Sequence, residues 1–182
     1  MTGVLHTPLS IGTMTVRNRL YRAPVLEGVG DGADAGDKYA THFVDNARHG
    51  VGMIVQGASC VTAEGRSGPG MSCVETREKV LRFAPMVDAV HREGAAIVLQ
   101  LGHGGLYAME AWHEPYASQR TQPLVAPSAV PWPLKVAFRG VDVPAMTAAA
   151  VYELVDRHGR VRGGARGAGR PPVAPGNWTA QA

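Results

Sequence analysis

Two apolar runs of strand length, VGMIVQGAS at 51–59 and AAIVLQLG at 95–102, flank a single helical stretch. Neither alternates polar with apolar, so each reads as a strand of a sheet covered on its helix face. Helical patterns precede each run. In DKYATHFVDNARHG (37–50), Tyr39, Phe43 and Ala47 fall on one face and Gly50 marks a stop. In TREKVLRFAPMVDAVHREG (76–94), Val80, Phe83, Val87 and Val90 point inward and Gly94 ends the pattern. Pro85 either kinks this helix or marks where its regular part begins.

The flanks extend the alternation. LSIGTMTVRN (9–18) reads as a short hairpin around Gly12 and Thr13. LYRAPV (20–25) reads as a strand stopping at Pro24, and TAAAVYELVDRHG (147–159) as the start of a third helix capped by Thr147. A Pro-rich loop covers roughly 104–145. Strand, helix, strand, helix, strand, helix means parallel βαβ units. A (β/α) barrel and a doubly wound sheet both satisfy that order. The residues after the first strand, PVLEG at 24–28, carry no glycine-rich dinucleotide fingerprint, which favours the barrel. In a barrel, chemistry gathers at the C-terminal ends of strands. Those ends are Ala23–Leu26, Gln56–Ser59 and Gln100–His103. Gln100 is the pointed case, because a buried amide without partners costs a few kcal/mol.

Composition matters at the C-terminus. Of the 18 residues at 159–176, GRVRGGARGAGRPPVAPG, 16 are Gly, Arg, Ala or Pro. Such a run reads either as a disordered basic tail or as GC-rich coding sequence translated out of frame. The expected division is therefore 1–158, a partial barrel, and 159–182, a tail. The formal net charge of +3 comes from that tail, whose four arginines are matched by no acid. The remainder is nearly neutral, so no nucleic-acid partner is expected. No run reaches the ~18 apolar residues of a membrane helix, and no signal peptide is expected. Cys60 and Cys73 form neither a disulfide framework nor a zinc pattern, so reduced thiols and a cytoplasmic setting are expected, and no metal site. Cys60 reads as a small buried residue, and Arg66 as a solvated loop charge, the alternative being a charge leaning toward a substrate mouth.

Several motifs agree in order and spacing with one family. PLSIGTMTVRNRLYRAPVLEG, ARHGVGMIVQGAS, VHREGAAIVLQLGHGG and LVAPSAVPWP together resemble the N-terminal half of the old yellow enzyme family of NADH:flavin oxidoreductases, over about residues 5–158. The resemblance implies an α/β fold of the TIM (β/α)8 class, here an N-terminal partial barrel with about three βα units. It implies non-covalent FMN, NAD(P)H as reductant, and hydride transfer to an activated alkene or similar small-molecule substrate. Carried over by motif, Ala23, Pro24, Val25 and Leu26 lie against the flavin, Ala58 packs near its ring, and Gln100 bonds its pyrimidine edge. That edge carries both donors and acceptors, which suits an amide. The alternative for Gln100 is an amide tied to neighbouring loops.

Two positions depart from the family pattern. Leu26 stands where many members carry Thr or Cys, so no polar side chain tunes the flavin there. Leu106 stands where an arginine follows the His-x-Gly element, which makes His103 a loop organiser rather than a catalyst. The family's catalytic pair ends its fourth strand, so no catalytic residue is assigned. The other reading is a non-catalytic half-barrel without flavin, unfolded alone or surviving only as a homo-oligomer. A third is another (β/α) barrel enzyme, with Gln100 serving a different ligand.

Overall fold

The computed structural model describes residues 3–110, 124–129 and 143–166. The hairpin forms as expected: β1 (Leu9–Ile11) and β2 (Met14–Val16) pair antiparallel, with Gly12 at a φ of 60° in the turn. A three-stranded parallel sheet follows, in the order β3–β4–β5, with β3 Tyr21–Arg22, β4 Met53–Cys60 and β5 Ala96–Gly102. The first of these is shorter than expected. It pairs only through Tyr21 and Arg22, because Pro24 has no N–H to give to a ladder.

α1 (Ala35–Arg48) buries Tyr39, Phe43 and Ala47 as the spacing predicts. The stretch 76–94 is two helices, α2 (Arg77–Leu81) and α3 (Ala84–Arg92). Pro85 occupies the first turn of α3, where the missing N–H has no helical partner anyway, so it starts a helix instead of kinking one. Thr76 caps α2 by accepting from the Lys79 N–H at 3.3 Å. Met86 and Val90 of α3 join Phe83, Ile54 and the α1 residues in one core, with Tyr39 stacked on Phe43 and edge-on to Phe83.

α4 (Ala148–Arg166) begins as expected, with Thr147 Oγ1 accepting from the Ala150 N–H at 3.2 Å. It does not stop at Gly159. A glycine inside a helix costs about 1 kcal/mol, and burial of Val161 against the main core helps offset it. The expected boundary at 158/159 therefore falls inside a helix. Residues 167–182 and most of the Pro-rich loop lie outside the described residues.

The cysteine expectation is corrected. Cys60 is buried, but it is bonded to Cys73 in a disulfide, with Cα atoms 4.6 Å apart. Residues 72–74 lie alongside the end of β4: the Cys60 N–H donates to Ser72 O and the Val74 N–H to Cys60 O, both at 2.8 Å. The 13-residue spacing matches no standard framework, and only the return of the chain brings the sulfurs together. The disulfide removes the cysteine-based argument for a reducing compartment.

Arg17, at the other end of the sheet, donates to the Glu93 carbonyl at 2.7 Å, to the Val51 carbonyl at 2.9 Å and to the Ala47 carbonyl. It fastens the hairpin to the C-terminal ends of α1 and α3.

Candidate functional site at the strand ends

Ile97, Leu99 and Leu101 of β5 pack on the helix-side core, as does Ile54 of β4. Successive side chains of a strand alternate faces, so Val98, Gln100 and Gly102 look the other way. Register decides what Gln100 meets. Gln56 pairs with Leu99 and Ser59 with Leu101, so Gly57 and Ala58 together oppose Gln100. This is a β-bulge, a device that re-aims side chains beside functional sites. A Cβ on Gly102 would lie 3.5 Å from the Ala58 Cβ, which puts Ala58 on the Gln100 face.

The bulge needs its glycine. A Cβ on Gly57 would overlap the Val25 carbonyl oxygen and press on Glu27 Oε2. The first strand end therefore rests directly on the second. Ala23, Pro24, Val25 and Leu26 are all exposed, and Ala58 and Gln100 are half-buried. Of the residues assigned from sequence, Ala58 and Gln100 share one face and the Val25 carbonyl abuts Gly57 of the bulge, while Ala23, Pro24 and Leu26 lie exposed beyond the end of β3. Arg22 itself turns to the helix side, over the Phe43 ring, and pairs with the buried Glu27 at 2.6 Å.

Beyond β5, His103 organises the loops. Its Nδ1 accepts from the Gly105 N–H at 3.0 Å, and Gly65 sits against its ring, where any side chain would collide. The Gly104 N–H donates to Gly65 O at 2.6 Å, locking the post-β4 loop to the end of β5. Burial holds the imidazole below the ordinary histidine range; Glu64 opposes this and His158 adds to it. The neutral ring, with Nδ1 as acceptor, is the form this geometry requires.

Arg66 is not a solvated loop charge. It pairs with Asp31 at 3.1 Å, and Asp31 also holds Lys79 at 3.6 Å, Arg82 and the Cys73 N–H at 2.9 Å. Burial alone would raise the Asp31 carboxyl. The Arg82 hydrogen bond, the Cys73 amide and the charges of Arg82 and Lys79 outweigh it and hold the carboxyl lowered. Asp31 thus fastens the loop after β3 to the loop after β4. Its importance had no local signal in sequence, since its partners are 35 to 51 residues away. Gly57 did have one: a glycine inside a strand pattern marks a bulge or a close backbone approach.

The same order of elements is found in known proteins. A model of the NADH:flavin oxidoreductase / NADH oxidase family matches residues 4–171. The chain belongs to this family. Among curated members, a metal reductase of Desulforamulus reducens is 32% identical over 128 residues, covering 70% of this chain and 18% of the relative. An NADPH dehydrogenase of Bacillus subtilis is 29% identical over 107 residues, covering 58% of this chain and 32% of the relative. The family fold is seen in the crystal structure of Old Yellow Enzyme from Pichia sp. AKU4542, at a TM-score of 0.74 and 22% identity, over 89% of this chain and 42% of that one. The chain thus spans less than half the length of these family members. Its described residues form an open part of the family's α/β fold, with no closed barrel.

Proposed function

We propose that this chain supplies the flavin-ring side of an FMN-dependent oxidoreductase that uses NAD(P)H. The observation that supports the reading is the meeting of the strand ends: the Val25 carbonyl lies against Gly57, and the Gly57–Ala58 bulge lies opposite Gln100. FMN fits that face. A flat ring needs small side chains and bare backbone beneath it, and Ala23, Pro24 and Ala58 provide them. Its pyrimidine edge needs a group that both donates and accepts, and the Gln100 amide does both. FMN held there would supply hydride transfer from NAD(P)H to an activated alkene or similar acceptor. The chain's own residues bind the ring, orient it and exclude water from one side. Leu26 offers the ring only an apolar contact.

Barrels of this kind hold phosphate in the loops after strands seven and eight. The three parallel strands here, read as the first βα units of eight, contact only the ring. The chain should therefore bind riboflavin and FMN with similar, weak affinity, read by quenching of flavin fluorescence. Binding of neither at millimolar flavin overturns the reading. A large preference for FMN overturns the ring-only assignment.

One observation favours a second reading, a half-barrel without flavin. Among the described residues β3 and β5 are sheet edges, and Tyr21, Val25 and Leu26 are exposed beside them. Open edges associate. In this reading the chain self-associates in gel filtration, binds no flavin and oxidises no NAD(P)H above the free-flavin background.

A further inference from the structure

The chain after β3 leaves the sheet and soon meets it again. Arg22 is the last residue of β3 on the ladder, opposite Ile54. The next four residues, Ala23, Pro24, Val25 and Leu26, are exposed. The return is at Gly57, where the Val25 carbonyl lies and where a Cβ would meet Glu27 Oε2 at 2.5 Å. An ion pair closes this arch. Arg22 Nη1 donates to Glu27 Oε1 at 2.6 Å, and the Glu27 side chain is only 4% exposed. The guanidinium is seated on α1, 5.0 Å from the centre of the Phe43 ring.

Beyond Glu27 the backbone has little stiffness of its own. Gly28 and Gly30 stand at φ of 67° and 87°, in the left-handed region that glycine enters freely. The next backbone tie is the Gly30 N–H, which donates to Gly70 O at 3.0 Å. An exposed four-residue segment followed by such glycines keeps one shape only if both its ends are pinned. The ladder pins Arg22, and the ion pair pins Glu27 to Arg22. Burial makes the tie firm, because removing one partner would strand the other charge away from water.

We propose that Glu27 is a positioning residue for the strand-end face: with Arg22 it forms a staple that holds Ala23–Leu26 against the Gly57 bulge. The staple fixes how residues 23–26 stand relative to Ala58 and Gln100, and so the shape offered to a flat ring. Its effect on a ring rests on the flavin reading above. The staple itself does not.

Two measurements on the full chain separate these. The first is a urea-unfolding cycle of Glu27→Gln, Gly57→Ala and the double variant. A methyl on Gly57 displaces Val25 and Glu27, and residues that share a contact do not act additively. Glu27→Gln should therefore lower the urea midpoint clearly in the wild-type background and much less in the Gly57→Ala background. Equal shifts in the two backgrounds overturn the staple. Where either variant does not fold, Glu27→Asp and Arg22→Lys, which keep both charges but alter their reach, form the cycle instead. The second is riboflavin titration by fluorescence quenching, well below the unfolding transition so that loss of folded chain does not enter. Glu27→Gln should weaken riboflavin about tenfold, the equivalent of one charge-assisted hydrogen bond. It should also return the visible absorption band of bound riboflavin toward that of the free flavin. Affinity and band both unchanged in the folded variant overturn the positioning role. A wild-type chain that binds no riboflavin sinks the flavin reading and the role at the ring with it, and the urea cycle then decides the staple alone.

Discussion

Gly57 lies so close beneath Val25 that a β-carbon on it would overlap the Val25 carbonyl oxygen. The neighbouring atom is backbone, so no side-chain rotation relieves the clash. Gly57→Ala should destabilise the chain by about 1–3 kcal/mol, the range for forced overpacking. Gly102→Ala, where the new methyl meets Ala58 and Met71 at 3.5 and 3.7 Å, should be milder. Urea unfolding of the two variants side by side gives the comparison, and equal losses would contradict this account of the bulge.

Gln100 and His103 separate binding from scaffolding. Gln100→Ala should weaken riboflavin binding by about 1–3 kcal/mol, roughly 5- to 150-fold, with little change in stability. His103→Ala should do the reverse, because its ring fills the space against Gly65 and receives the Gly105 amide. Fluorescence titration and thermal melting, run on both variants, check the split.

The half-buried imidazole also gives stability a pH dependence. His103 is held below its ordinary range when folded and titrates near ~6.5 when unfolded. In the window between, the unfolded chain binds more protons, so stability rises with pH there. As pH falls below about 6.5, stability should be lost until the folded-state value is passed. His103→Gln should flatten the dependence of the urea midpoint in that window.

Asp31 has the same sign at lower pH. Its carboxyl is lowered in the folded state, so its contribution is present above the unfolded value near ~3.9 and disappears as pH falls through the folded one. Asp31→Asn should cost about 1–3 kcal/mol at neutral pH, by leaving Arg66 and Arg82 without their carboxylate. Unfolding at pH 7 and pH 3 should show the variant and wild type converging in acid.

What could be read from the chain follows the range of each interaction. Tyr39, Phe43 and Ala47 needed only helical periodicity, and β4 and the half-buried β5 only an unbroken apolar run. Thr147 and the Gly12 turn were likewise local. Pro85 left two options that periodicity could not separate, and the choice fell to its place in the first turn of α3. The disulfide, the Asp31 hub and the fit of Gly57 under Val25 join segments tens of residues apart, and single-sequence patterning carries no such distances. The Gly-, Arg- and Ala-rich composition after residue 158 carried no sign that Val161, within it, has a core to enter.

The Arg17 clamp bears on the order in which the chain acquires its structure. Its three acceptor carbonyls lie 30, 34 and 76 residues along the chain. All three are in place together only once α1, the start of β4 and the end of α3 have formed. Contacts of such sequence separation incur loop-closure entropy before they contribute anything. The clamp should thus be absent from the folding transition state. Arg17→Ala should leave the refolding rate nearly unchanged and speed unfolding, so that Arg17 acts on the lifetime of the folded chain and not on the search for it.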